Sequence, residues 1–173
     1  MKKQTTTPPA AAERLIDTRF KQYTAVYNTG TKRTILSISS LMLMLGIMGL
    51  LWAAPFPHIA FLGKYNGFIN WASFFMAVVG FYYYRLSPTI CYLIILLLFA
   101  FSYVVTLLID WEHKGGFSVQ IISGCLVGAA LLMAVLINKK LSGKLTVGMA
   151  LNHYLLSPAW FMAMVLKKLV GRY

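Results

Sequence analysis

Three histidines (His58, His113, His153), four carboxylates (Glu13, Asp17, Asp110, Glu112) and two cysteines (Cys91, Cys125) are all that this 173-residue chain offers for metal binding or acid–base work. Asp110, Glu112 and His113 stand almost side by side, and with His58 they could converge on a divalent cation at one surface. The simpler reading is solvated charge closing a helix, so no metal is expected there. No His-Glu-x-x-His run, phosphate-binding loop or Gly-x-Ser-x-Gly elbow occurs. Both cysteines fall in apolar stretches, where a thiol packs as a small hydrophobe. Motif and spacing name no catalytic residue.

The elements that would carry these residues are set by the medium. The chain is 59% hydrophobic and 12% charged, with a mean hydropathy of +0.70. Soluble domains carry about 25% charged residues, so an ordinary soluble enzyme is excluded. The net charge is +12, but the basic residues flank apolar blocks, so nucleic acid is not the expected partner. Apolar segments at about 35–54, 68–84, 89–109 and 117–137 approach the roughly 20 helical residues that cross a hydrocarbon core of about 30 Å. Thirteen of the sixteen Lys and Arg lie on the two terminal flanks. Positive flanks stay inside, which predicts an even number of crossings with both termini cytoplasmic. A bacterial inner membrane is expected.

Residues 1–12 read as a disordered tail and 13–30 as an amphipathic helix, with Leu15, Ile16, Phe20, Tyr23 and Tyr27 at helical spacing. Its apolar face suits either the membrane surface or the protein's own cytosolic end. Within 147–170, Asn152, His153, Ser157 and Pro158 interrupt an apolar run. This predicts an interfacial or re-entrant pair of half-helices broken at Pro158, with Trp160 as an anchor. The fold class expected is an all-α membrane protein: a bundle over 31–173 with four transmembrane helices, the amphipathic helix and this C-terminal element.

Polar residues inside spans are costly and therefore informative. Here they are Ser37, Ser39, Ser40, Ser73, Ser102, Thr106, Gln120 and Ser123. Hydroxyls can bond their own helix carbonyls, which leaves Gln120, with Asn152 and His153 nearer the C-terminus, as polar candidates. No charged residue lies within a span, so a proton or ion relay is not expected. Gly124 and Gly128, with Ala129 and Ala130, form a small-residue face expected to pack within the bundle.

Several stretches, in order, resemble one family of small multi-pass membrane proteins: Tyr23; GLLW at 49–52; INWA at 69–72; FYYYRLSP at 81–88; LLSPAW at 155–160; and KKLVGRY at 167–173. Its fungal member is an endoplasmic-reticulum, Fe(II)-dependent 2-hydroxy-fatty-acid dioxygenase of fatty-acid alpha-oxidation. The family pattern departs where it matters. Tyr27, Leu36 and Asn138 stand where the resemblance places histidines, Thr29 replaces an asparagine and Leu141 a glutamate. Tyrosine and asparagine substitute poorly for neutral imidazole, and leucine cannot ligate.

The resemblance thus implies the scaffold without the iron site: a non-catalytic protein that binds lipid or organises membrane, with membrane lipids or a fatty acid as partner and no cofactor. Two alternatives are an active Fe(II) dioxygenase using His153 and a subunit that binds another membrane protein.

Overall fold

The computed structural model describes residues 15–57, 69–139 and 146–170. Among them run six helices, α1 (Leu15–Val26), α2 (Gly30–Ala53), α3 (Trp71–Leu86), α4 (Pro88–His113), α5 (Val119–Lys139) and α6 (Val147–Val170), and no strand. The tail at 1–12 lies outside the described residues. Four helices, α2, α4, α5 and α6, are long and apolar enough to cross a membrane. Leu96, Phe99, Tyr103 and Leu107 of α4 point outward and exposed, a surface suited to lipid rather than water. The fold is that of an all-α membrane protein.

Membership of the four differs from the sequence expectation. The segment expected at 68–84 forms α3, whose 16 residues rise about 24 Å. It is shorter than a typical span, and α6 joins the set instead. The path still runs back and forth. Trp71 Nε1 donates to Pro55 O at 3.0 Å, which sets the start of α3 beside the end of α2. Only Ser87 separates α3 from α4, because Pro88 cannot continue a helix but suits the first position of a new one. On the return, Cys91 Sγ donates to Gly80 O at 3.3 Å. Glu112, expected to be solvated, accepts from Val119 N at 2.9 Å and so satisfies one orphan donor at the start of α5.

α2 and α5 form the most extensive pair. A Cβ on Gly46 would stand 2.8 Å from Val127 Cγ2 and 2.9 Å from Ser123 O, and one on Gly49 would collide with Ser123 Oγ. Close backbone approach therefore depends on α2 glycines. Gly124 and Gly128 do not pack within the bundle as expected: both are exposed, and a Cβ on either meets nothing within 4 Å. Their spacing is right for packing, but that face of α5 is turned outward.

The expected pair of half-helices is a single helix, since α6 continues through Pro158. Proline lacks the N–H that would bond the carbonyl four residues back, Tyr154 O. Ser40 Oγ supplies that donor at 3.1 Å. The next carbonyl, Leu155 O, accepts the Tyr83 hydroxyl at 2.7 Å. Ser37 Oγ reaches Ser157 O at 3.1 Å as well as its own Arg33 O at 2.9 Å. Ser39 Oγ donates to Ala130 O at 2.6 Å. Its single proton is then engaged, so the Tyr154 hydroxyl donates to it at 2.9 Å. Ser39 and Ser40 tie α2 to α5 and α6 instead of bonding their own helix, and Ser37 does both, as hydroxyls do where no water reaches.

Gly46→Val should destabilise the folded protein by about 1–3 kcal/mol through overpacking, whereas Gly124→Ala should stay within about 0.5 kcal/mol; unfolding in mild detergent measures both. Ser40→Ala should cost about 1–3 kcal/mol by orphaning Tyr154 O. In a Pro158→Ala background, where an N–H is restored to that carbonyl, the same change should cost clearly less; equal costs in a double-mutant cycle would refute the pairing.

Candidate functional site

Two features lie where α6 meets the bundle. The first is an aromatic and polar junction under α1. Ile16, Tyr23 and Tyr27 are buried, so the apolar face of α1 packs on the protein itself. Ser157 Oγ donates to His153 O at 2.9 Å, which makes the Tyr23 hydroxyl the donor in its 3.1 Å bond to Ser157 Oγ. The Tyr27 hydroxyl donates to Asn138 Oδ1 at 3.0 Å. The His153 ring stands edge-on to both tyrosines, with centroids 6.1 and 5.8 Å away. Trp160 lies 5.9 Å from Tyr23 and carries the Arg33 guanidinium 5.3 Å above its face.

Burial pushes the Tyr27 phenol up to about 12 and raises Tyr23 as well, so both remain donors across the ordinary pH range. Two buried atoms of the junction, His153 Nδ1 and Arg33 Nε, have no hydrogen-bond partner.

The positions laid against the family's histidines fall in and around this junction. Tyr27 and Asn138 touch, and Leu36 is buried in the same core. Thr29 is exposed as the N-cap of α2, and Leu141 lies outside the described residues. At the junction these positions are held by hydrogen bonds and packing. Among the described residues no three His, Cys, Asp or Glu side chains come together. Asp110 and His113 are exposed at the end of α4, near the helix-capping Glu112, and His58 lies outside the described residues. Gln120 is exposed on the first turn of α5, at the opposite end from Asn138. Asn152, also exposed, accepts from Arg19 Nη1 at 3.1 Å.

The second feature is a cleft of about 290 Å³ between α2, α3 and α6. Leu43, Ile47, Phe75 and Val79 form apolar walls, and Tyr82 and Leu155 stand at the α6 end. The Ser40, Tyr83 and Tyr154 hydroxyls that border it are already bonded, so the interior presents hydrocarbon. Val78, 68% exposed, lines the cleft too, which opens it sideways through the outer face of the bundle. α3 leans chiefly on α4, and its hydrogen bonds at Trp71 and Tyr83 hold its two ends, leaving the gap to α2 between them.

Comparison with protein-family models, curated proteins and solved structures returns no match. The sequence pattern marked no residue as lining a cleft and anticipated none of the serine bonds; Ser40, which borders the cleft, stood out there as a polar residue in a span. The signal for the serine bonds was present: a proline inside an apolar helix requires a donor nearby, and three serines in four positions could supply it.

Tyr27→Phe should leave Asn138 Oδ1 without its donor and cost about 1 kcal/mol. Faster amide hydrogen exchange in α1 than in the unmodified protein is the expected readout.

Proposed function

We propose that this chain is a non-catalytic, lipid-binding membrane protein, a divergent relative of the 2-hydroxy-fatty-acid dioxygenase family in which the ligand positions have become packing positions. The observation that carries the reading is the laterally open cleft, whose walls are hydrocarbon and whose Ser40, Tyr83 and Tyr154 hydroxyls are engaged. A site of that kind can hold an acyl chain but supplies no reacting group. The Tyr27–Asn138 bond supports the other half of the reading, since side chains committed to each other hold the ground where the resemblance expects imidazoles.

In the proposed topology α2 to α5 cross four times, α3 as a short span, with both termini cytoplasmic in a bacterial inner membrane. Arg33, Arg85 and Lys139 stand at the end where α1 packs and Lys114 at the other, an excess of Lys and Arg on one side of the kind the positive-inside rule describes.

Purification in mild detergent followed by lipid extraction and metal analysis tests the proposal. Lipid at about one molecule per chain, with iron far below one, is expected. Stoichiometric iron with oxygen-dependent shortening of a 2-hydroxy fatty acid would overturn it.

A further inference from the structure

The cleft has a polar end whose charge the lipid-binding reading leaves unused. Arg19 of α1 donates from Nη1 to Asn152 Oδ1 at 3.1 Å. Asn152 precedes Leu155 by three residues, so the two share one face of α6, and Leu155 borders the cleft beside Tyr82. The guanidinium is also close enough to the Tyr82 phenol for its charge to act there. A guanidinium carries five N–H donors, and the bond to the neutral Asn152 uses one. Arg85, on the last turn of α3, is stacked instead on the outward-facing Phe81 at 5.9 Å, which leaves Arg19 to meet a headgroup at this end of the cleft. A slot walled by hydrocarbon thus ends at a cationic rim, with its side open toward lipid at Val78.

Resting on the reading of the cleft as a lipid site, we propose that its occupant is an anionic phospholipid, one acyl chain between α2 and α3 and the phosphate held by Arg19. A guanidinium presents paired donors to a phosphate oxygen pair. Lateral opening favours a molecule already resident in the bilayer. A neutral or zwitterionic lipid would fill the slot equally well but gain less from the net positive charge at its rim.

The test uses the full chain reconstituted with equimolar phosphatidylglycerol and phosphatidylcholine of identical chains, then extracted and read by native mass spectrometry for retained lipid. One retained lipid with phosphatidylglycerol enriched about fivefold is expected, from the strength of one arginine near a lipid headgroup. Arg19→Gln should lower phosphatidylglycerol retention to that of phosphatidylcholine, an enrichment of about one; Arg19→Lys should keep part of it. Val78→Trp, at an outward position that tolerates bulk, should lower retention of both lipids.

Enrichment that survives Arg19→Gln, or equal retention of the two lipids by the unmodified chain, overturns the headgroup assignment and leaves the cleft reading standing. Retention unaffected by Val78→Trp overturns both. Displacement of the phospholipid by an equimolar free fatty acid, with the fatty acid retained in an Arg19-dependent manner, also overturns the assignment, because the anion would then be a carboxylate.

Discussion

A proline inside a helix that is buried in its neighbours leaves a carbonyl which, away from water, only a side chain can satisfy. Pro158 creates that need at Tyr154 O, and Ser40 meets it. Packing of α6 follows from this bond. Once Ser40 is fixed opposite Tyr154, Ser37 falls opposite Ser157, one turn along each helix in opposite directions. Arg33 then arrives over Trp160. The antiparallel register of α2 and α6 is therefore specified by polar contacts, which suits a medium where apolar contact alone does not distinguish protein from lipid.

α2 is the helix on which the others are arranged, and its surface is divided by residue size and chemistry. Gly46 and Gly49 lie on the side that meets α5, where absence of a side chain lets two backbones approach. Ser39 sits on the same side one turn pair earlier, and its hydroxyl joins α5 and α6 through Ala130 O and Tyr154. Leu43 and Ile47 occupy the remaining side, where α3 keeps its distance. The cleft is thus a consequence of uneven attachment. α5 is held to α2 along its length, while α3 is tied at Trp71 and Tyr83, toward its two ends.

The apolar blocks and the amphipathic start were legible because both depend on long-period patterns that the lipid or the core reads directly. α2, α4 and α5 fall close to the expected segments for that reason. What failed was local and directional. Gly124 and Gly128 have the spacing of a packing face, but spacing cannot say toward which neighbour a face is turned, and here α5 presents Ser123 and Val127 to α2 instead. Pro158 reads as a break when taken alone, and reads correctly only with the donors on another helix more than a hundred residues away. The contact between Tyr27 and Asn138 was not visible in periodicity either, since it joins the ends of two separate helices.

The junction under α1 places its few polar groups where hydrogen bonding rather than ionisation organises them. Tyr23 and Tyr27 stay protonated because burial penalises their phenolate forms, so each keeps one donor and directs it at a neutral acceptor. His153 is enclosed by their rings with its Nδ1 unbonded, an arrangement that disfavours a charged imidazolium with two donors to satisfy. The positive charge of this end is instead carried by arginines whose guanidinium groups lie over aromatic faces or meet a neutral amide. A neutral interior under a cationic rim is what separates hydrocarbon from headgroup in a bilayer, and here the same division runs through the protein itself.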